Sequence, residues 1–158
     1  VLLDNYIRCQ YGPFLKDNST NLYEGFYQLI LAEIAPYIHS YTNALDVGCA
    51  TGRLVFEFVK MGAHKSFGLD NSKSFIDFCN LLRVNKSELV TFEVSPTSKT
   101  TFLHADILQS PYPDNSFDFI SCINIIDRVV SPKDLIETMH ASLKVGGILL
   151  LVDPYDWE

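Results

Sequence analysis

The chain has 158 residues, of which 47% are hydrophobic and 20% are charged, and its formal net charge is −7 at pH 7. This length corresponds to one domain with a core of its own, and the composition excludes an intrinsically disordered chain. The acidic balance disfavours binding to long DNA or RNA, because a phosphate backbone requires a basic surface and the lysines are scattered along the chain.

Cysteine and histidine usage argues against a metal site. The four cysteines form no C-x-x-C pair and the four histidines are scattered, so we expect no zinc and a reduced, cytoplasmic chain. No apolar run approaches ~18 residues, so we expect no membrane span. The first residue is Val1 and no signal-peptide pattern follows it, which fits a piece of a longer chain.

The first 40 residues precede the predicted sheet. Residues 1–17 are rich in aromatic residues and predicted to be irregular, with Gly12-Pro13 as a breaker. A helix is predicted from an N-cap at Asn18 or Ser19 to Pro36, because apolar residues recur at helical spacing. Its apolar positions are Leu22, Phe26, Leu29, Ile30 and Ile34.

Short apolar segments then alternate with helical patterns. Residues 44–47 and 66–69 read as buried strands, the first ending at Gly48 and the second followed by Asp70. A helix is predicted from residue 54 to a glycine stop at Gly62, and another is predicted after a cap at Ser72. The second helix carries Phe75, Ile76, Cys79 and Leu82.

The second half of the chain continues the alternation. Residues 89–94 and 100–103 are predicted to form a hairpin around residues 95–98, before a strand over residues 117–123. Ser131 followed by proline predicts a helix start, and residues 148–152 read as a further strand. Strands separated by helix-length segments predict an α/β fold with a doubly wound, mostly parallel sheet in a single domain over residues 1–158.

The segment LDVGCATG, residues 45–52, joins a buried strand to a helix. Small residues at Gly48, Ala50 and Gly52 would let the backbone approach a ligand closely. A nicotinamide dinucleotide fingerprint would require glycine at positions 50 and 53, where Ala50 and Arg53 stand. The remaining alternative is an ordinary strand–helix turn whose glycines serve packing.

Two aspartates follow later strands of the predicted sheet. Asp70 lies about twenty residues after the glycine segment, where a carboxylate can accept hydrogen bonds from both hydroxyls of a ribose. A helix cap is its alternative role. Asp106 is placed to accept a hydrogen bond from an adenine amino group, with Ile107 offering an apolar contact.

The segments LDVGCATG, FGLD, HADI, SFDFISCINIIDR and LKVGGILLLVDP resemble the motifs of class I S-adenosylmethionine-dependent methyltransferases in order and spacing, over residues 40–154. The resemblance implies a Rossmann-like fold and S-adenosyl-L-methionine as cofactor, held by Gly48, Ala50 and Gly52 with Asp70 on ribose and Asp106 on adenine. The further cofactor contacts that we expect are Asp46, Cys49, Asn71, Ala105, Ile107 and Cys122, although Cys49 and Cys122 could instead be small packing residues.

A narrower resemblance lies in the segment NIIDR, residues 124–128. It is similar to a segment of the methyltransferase domain of ovothiol synthases, which N-methylates 4-mercaptohistidine, and of the protein-histidine methyltransferases. The ending DPYDWE and the early segment QYG, residues 10–12, resemble the ovothiol group as well. The class I methyltransferase fold normally has seven strands, whereas the prediction here ends after the fifth core strand.

This resemblance implies methyl transfer to an imidazole nitrogen of a small histidine derivative or a peptidyl histidine. The activated methyl belongs to the cofactor, so no nucleophile–base set is needed and none is found. Asn124 and Asp127 are predicted to accept a hydrogen bond from the imidazole and fix its tautomer, with Arg128 and Tyr155 completing the catalytic candidates. Alternatively, Asn124 holds the strand–helix turn, and Asp127 and Arg128 form a local ion pair.

Aromatic residues are the candidates for the wall of an imidazole pocket, namely Tyr11, Tyr23, Tyr155 and Trp157. Two other functions stay open. One is methylation of a different small molecule, such as a quinone or a carboxylate. The other is a non-catalytic module that binds S-adenosylmethionine within a larger protein. The expected partner is a small-molecule or peptide substrate, with no nucleic acid and no membrane.

Overall fold

The structure, a computed structural model, describes residues 2–17, 23–84, 86–94, 97–109 and 111–154. The strands within these ranges are β1 (Asn43–Val47), β2 (Lys65–Asp70), β3 (Thr100–His104), β4 (Phe117–Ile123) and β5 (Leu143–Val152). The helices are α1 (Leu2–Tyr11), α2 (Glu24–Ile34), α3 (Arg53–Lys60), α4 (Lys73–Arg83) and α5 (Pro132–Ser142). This alternation of strands and helices confirms the predicted α/β fold.

The five strands form one parallel sheet in the order β3-β2-β1-β4-β5. The chain runs outward from β1 through β2 to β3, then crosses back so that β4 pairs with the other side of β1. The strand order therefore reverses between β1 and β4. In open α/β sheets, ligands bind beyond the carboxyl ends of the strands at such a reversal.

Helices cover both faces of the sheet because β1 and β4 are apolar on both faces. On one face, Leu45 of β1 packs in a cluster with Leu135 and Met139 of α5. On the other face, Phe119 of β4 packs with Phe58 of α3 in a cluster that includes residues of α2. The sheet is thus the middle of three layers, and its strand ends are the exposed edge on which a site can be built.

The N-terminal segment differs from the sequence prediction. Residues 2–11 form α1 and are not irregular, although the helix does end before Gly12-Pro13 as predicted. Ile7 and Tyr11 lie one helical turn apart and are both buried, which explains the helix. The predicted start of the next helix, at Asn18 or Ser19, lies outside the described residues. Among its predicted apolar positions, Leu29 is exposed.

The predicted hairpin is wrong. Residues 91–94 belong to no strand, and an isolated antiparallel bridge joins Val90 to Leu15 of the N-terminal segment. The alternating side chains Val90, Phe92 and Val94 are buried in the cluster that contains Tyr11. The alternation of apolar side chains over residues 90–94 therefore reflects packing against helices and aromatic rings. It does not indicate a hairpin, because β3 pairs only with β2 among the described strands.

The predicted start of a helix agrees best with the structure where a side chain caps the helix. Ser131 caps α5, its Oγ accepting a hydrogen bond from the backbone N–H of Asp134 at 3.3 Å. Ser72 holds the N-cap position of α4, but its side chain accepts no hydrogen bond from the helix. The strand predicted over residues 148–152 begins earlier in the structure, at Leu143 directly after α5. No helix in the described part of the chain is both long and apolar enough to cross a membrane.

Candidate functional site

The loop between β1 and α3 takes left-handed backbone conformations at alternate residues. The φ angles are +70° at Gly48, +47° at Ala50 and +83° at Gly52. The backbone N–H groups of Gly48 and Cys49 both donate to the carbonyl of Leu69, at 2.8 and 3.1 Å. Side chains rarely tolerate this conformation, which is why the loop is built from small residues.

Asp70 ties this loop to the start of α4. Its Oδ2 accepts a hydrogen bond from the N–H of Ala50 at 2.8 Å, and its Oδ1 accepts one from the N–H of Ser72 at 2.8 Å. Burial raises the pKa of Asp70, while these two hydrogen bonds act to lower it. The carboxylate therefore takes part in starting the helix and also faces the cavities beside the loop.

Asp46 lies at the end of β1, immediately below the loop. It is 5% exposed, and its Oδ1 accepts a hydrogen bond from the hydroxyl of Ser121 at 2.6 Å. Burial, opposed by that hydrogen bond and assisted by the nearby charge of Asp70, raises the pKa of Asp46 to about 7. Asp46 is therefore a carboxyl group whose charge changes near neutral pH.

A cavity of about 470 Å³ opens beside the loop. The carboxyl ends of the strands supply its floor, and α1, α2 and α4 supply its walls. Its described lining comprises Leu2, Asn5, Tyr6, Cys9, Gln10, Tyr23, Phe26, Tyr27, Asp46, Gly48, Ala50, Leu54, Asp70, Asn71, Phe75, Ile123, Asn124 and Ile125. We call this space the larger cavity.

A smaller cavity of about 150 Å³ adjoins it on the β2 and β3 side. Both spaces are lined by Gly48, Asp70, Asn71 and Ile125, and the smaller one is further lined by Val47, Leu69, Ala105, Asp106, Ile107, Arg128 and Val129. The Oδ1 of Asp106 accepts a hydrogen bond from the N–H of Leu108 at 2.9 Å, which orients the carboxylate. The lining of the smaller cavity is thus mostly apolar, with the carboxyl groups of Asp70 and Asp106 among its acceptors.

The residues present fit S-adenosylmethionine, the cofactor that the motifs imply. The ligand would lie across Gly48, with its adenine in the smaller cavity and its ribose beside Asp70 where the two spaces meet. An ideal Cβ at Gly48 would overlap the side chain of Ile125, so the close backbone surface depends on glycine. The larger cavity would then hold the methionyl part and leave room for a second molecule.

Three of the expected cofactor contacts line neither cavity. A Cβ at Gly52 would lie 2.7 Å from the Phe102 ring and 2.8 Å from the sulfur of Cys79, so this glycine permits packing below the loop. Cys49 and Cys122 are fully buried in the core clusters, which agrees with the alternative reading of both as packing residues. The other expected contacts, among them Asn71 and Ala105, do face one or both cavities.

The three catalytic candidates that lie within the described residues do not line one common cavity. Asn124 is exposed and lines the larger cavity, with φ +56° and its N–H donating to the carbonyl of Val152 at 2.8 Å. Arg128 instead lines the smaller cavity, and Asp127 lines neither. The Nε of Arg128 is 3.1 Å from Oδ2 of Asp127, the local ion pair considered as an alternative. Tyr155 lies outside the described residues.

The aromatic candidates divide in a similar way. Tyr23 lines the larger cavity, whereas Tyr11 is fully buried under the loop, where its hydroxyl donates to the carbonyl of Thr51 at 2.8 Å. Tyr11 therefore supports the loop and is not part of a pocket wall, because the helix that carries it turns this residue inward. Trp157 lies outside the described residues.

Sequence reasoning missed the contribution of α1. Tyr6, Cys9 and Gln10 of this helix line the larger cavity, and Gln10 also contacts the loop. The Oε1 of Gln10 accepts hydrogen bonds from the hydroxyl of Thr51 at 2.6 Å and from the N–H of Arg53 at 3.3 Å. The helical spacing of Ile7 and Tyr11 was the available signal.

Comparison with protein families identifies the chain's relatives. A family model described as a methyltransferase domain matches residues 45–151. A sterol 24-C-methyltransferase of Gibberella zeae is 31% identical over 120 residues, which make up 72% of this chain and 29% of that protein. A demethylmenaquinone methyltransferase of Staphylococcus aureus is 30% identical over 117 residues, 71% of this chain and 43% of that protein. The chain spans less than half the length of these relatives.

Solved structures share the fold. The crystal structure of the PH0226 protein from Pyrococcus horikoshii superposes with a TM-score of 0.68 at 18% sequence identity. The superposition covers 93% of this chain and 64% of that one. At this level of identity the similarity concerns the fold alone.

Proposed function

Because the chain belongs to the class I S-adenosylmethionine-dependent methyltransferases, we propose that it transfers the methyl group of S-adenosylmethionine to an acceptor bound in the larger cavity. The observation that carries this proposal is the junction of two cavities at Gly48 and Asp70. The smaller cavity matches an adenine in size and lining, and the larger one has room for the methionyl group and an acceptor together. The cofactor's methyl would then point into the larger cavity.

The task of the protein in this reaction is positioning. When bound, S-adenosylmethionine supplies a methyl group already activated by its sulfonium. Asp70 would hold the ribose, Asp106 the adenine amino group, and Asp46 would offer a carboxylate to the methionyl ammonium. The helices α1 and α2 form walls of the larger cavity, and an acceptor aligned with the methyl group would gain in rate because its approach is already ordered.

For the acceptor, we propose an imidazole nitrogen of a histidine derivative or a peptidyl histidine. The resemblance of residues 124–128 supports this proposal, and so does the position of Asn124 in the larger cavity. Its side-chain carbonyl could accept a hydrogen bond from one ring N–H and expose the lone pair of the other nitrogen. The backbone of Asn124 is held by its hydrogen bond to Val152, which fixes the position from which the side-chain amide extends.

A second candidate is a carbon atom of an apolar acceptor. The two relatives are named for a sterol and for demethylmenaquinone, and the larger cavity of this chain contains Phe26, Tyr27 and Leu54 as apolar lining. An aromatic and aliphatic wall would suit a quinone or another flat apolar ring as well as an imidazole. The two candidates differ in the atom methylated, which product analysis identifies directly.

The test is methyl transfer from labelled S-adenosylmethionine to a histidine peptide, to 4-mercaptohistidine and to a demethylated quinone, with mass spectrometry of the products. If the acceptor is an imidazole, Asn124→Ala should reduce turnover about tenfold or more while cofactor affinity stays nearly unchanged, because orientation is lost and binding is not. Activity should also fall below pH ~6.5, where the imidazole becomes protonated.

The matched variant is Asp70→Ala, on the cofactor side. Removing the acceptor of the ribose hydroxyls and of the N–H of Ala50 should cost about 1–3 kcal/mol, which corresponds to roughly 5- to 150-fold weaker binding of S-adenosylhomocysteine. Equal losses of affinity and turnover in the Asn124 variant would assign Asn124 to cofactor binding or to the fold. Methylation of a quinone carbon and of no imidazole would replace the first acceptor by the second.

A further inference from the structure

The larger cavity has an unusual balance of charges. Asp46 and Asp70 are acidic residues of its lining, and no basic residue appears in that lining among the described residues. All 12 lysines and arginines and all four histidines of the chain lie within the described ranges. The absence of a cation therefore applies to every basic side chain that the sequence contains.

The basic residues closest to the loop are engaged elsewhere. The buried Arg53 does not line the larger cavity, and its Nε is 2.7 Å from the carboxylate of Glu57. Arg128 belongs to the smaller cavity and contacts Asp127. The Nε2 of His104, at the end of β3, is 3.0 Å from the carbonyl oxygen of Asn71. None of these side chains is positioned to neutralise an anion in the larger cavity.

A bound cofactor does not supply the missing positive charge to a second molecule. S-adenosylmethionine carries a sulfonium, an ammonium and one carboxylate. Its ammonium would face Asp46 and its ribose would face Asp70, and its own carboxylate would already have to rely on neutral donors such as Gln10 and backbone N–H groups. A second carboxylate would enter a partly desolvated space beside three others, and like charges there repel strongly.

The wall available to an acceptor is aromatic and neutral. Phe26 and Tyr27 of α2 line the larger cavity, and Tyr23 precedes them at its rim with 53% of its surface exposed. Tyr6 of α1 stands opposite, 41% exposed, with its ring centroid 4.8 Å from that of Phe75. Faces of aromatic rings attract flat neutral rings and cations, and they repel anions.

We infer that the acceptor enters the larger cavity as a flat ring that carries no anionic group, and that this charge rule separates the substrates of the protein from close analogues. The inference rests on the proposed function and deepens it. Among imidazole acceptors, a histidine whose carboxyl group is blocked as an amide is accepted, and one with a free carboxylate is rejected. The same rule applies to any other ring that reaches the methyl group.

The experiment compares matched ligands that differ only in charge. N-acetylhistidine methylamide and N-acetylhistidine form one pair, and methyl 4-hydroxybenzoate and 4-hydroxybenzoate form a second. Binding of each is measured by ligand-observed NMR with the protein saturated in S-adenosylhomocysteine, and turnover is measured with labelled S-adenosylmethionine. In at least one pair, the affinity of the neutral member should exceed that of its anionic partner by about tenfold or more.

A variant with a cation in the larger cavity tests the same charge rule in the opposite direction. Asn5 is exposed on α1 and lines the larger cavity, so Asn5→Lys should improve binding of the anionic member by about tenfold and reduce the discrimination. The control is Leu81→Lys, an exposed position of α4 that lines neither cavity, which should leave both affinities unchanged.

The outcomes separate the inference from the proposed function. Discrimination by charge without any methyl transfer would retain the inference and remove the enzymatic proposal. Equal methyl transfer to the neutral and the anionic members would support the enzymatic proposal and overturn the inference. Equal binding within both pairs, tighter binding of the anions, or no binding of either neutral ligand would overturn the inference.

Discussion

Asp46 is the residue at which stability and function are most directly opposed. It lies buried at the end of β1, with a pKa raised to about 7 by burial. In the unfolded chain this carboxyl group ionises near its ordinary pKa of 3.8. Between these values the folded state holds a proton that the unfolded state lacks, so the folded state loses stability as the pH rises through this window.

Asp46→Asn should remove this loss, because an amide of similar shape cannot ionise. At pH 8 the variant without cofactor should be more stable than the wild type by roughly 1–3 kcal/mol, and the gain should be small or absent near pH 4. Urea unfolding at the two pH values measures both differences. The hydrogen bond from Ser121 can persist, since the Asn carbonyl also accepts.

The same variant should bind S-adenosylmethionine more weakly, because the methionyl ammonium would lose its carboxylate. Asp118→Asn provides a control for the loss of an acidic group, since Asp118 pairs with Lys144 at 2.8 Å and lines neither cavity. Equal stability of wild type and Asp46→Asn at pH 8 would mean that Asp46 is not destabilising in its ionised form.

At the scale of elements, the N-terminal helices are joined to the glycine loop by one buried arginine. The guanidinium of Arg53 lies over the rings of Phe14 and Tyr27, at 4.7 and 5.5 Å from their centroids. Its Nη1 donates to the carbonyl of Gln10 at 2.7 Å, and the Nε is paired with Glu57. The first residue of α3 therefore fixes both α1 and α2 over the site.

Arg53→Met should destabilise the protein by about 3–5 kcal/mol, because it leaves a buried carboxylate and a carbonyl without their donor. Arg8→Met is the control, since the pairs of Arg8 with Asp4 and Asp17 are exposed and should contribute little. Urea unfolding compares the two variants. A loss no larger in Arg53→Met than in Arg8→Met would show that the aromatic surroundings of Arg53 hold the helices without its charge.

At the scale of the whole molecule, the two edges of the sheet are unlike its centre. Four of the five residues of β1 are buried, whereas no residue of β5 is fully buried and its apolar side chains range from half-buried to exposed. In the described part of the chain β5 pairs only with β4. An apolar edge strand with unpaired backbone groups is a surface on which a second chain can add.

A protein of the printed sequence should therefore self-associate through β5 as its concentration rises. Leu151→Lys should reduce this association, because a charge on an edge strand opposes pairing with another strand. Sedimentation velocity over a range of concentrations measures it. Leu29→Lys, which changes an exposed leucine on α2, should leave association unchanged, and an equal reduction by both variants would assign the effect to net charge.

The core of the site was predictable because its signals are local. Residues 44–52 combine a buried strand with small residues at the turn, and the structure places Gly48 and Ala50 in left-handed conformations beside a cavity. Asp70 follows its strand at the spacing that brings it to the same edge. These predictions needed only the rule that parallel strands place their carboxyl ends together.

The remaining site residues could not be predicted in the same way. Whether residues 124–128 face the acceptor depends on how a short 3-10 turn directs each side chain, and the structure sends Asn124 and Arg128 to different cavities. The alternation of apolar side chains at residues 90–94 is likewise compatible with two structures, a β-strand or an irregular segment packed over aromatic rings. Only the neighbours of those side chains decide between them.

The sequence by itself determined most of the alternation of strands and helices and the loop at the strand reversal, because these depend on hydrophobic spacing and on small residues at a turn. The class of cofactor was implied by the resemblance of the motifs to those of methyltransferases. The tertiary structure alone decided that α1 and α2 close over the loop, that Tyr11 and Arg53 support it from below, and that the larger cavity holds acidic and aromatic residues without a cation. These features arise from contacts between residues far apart in the chain, and such contacts leave no periodic pattern in the sequence.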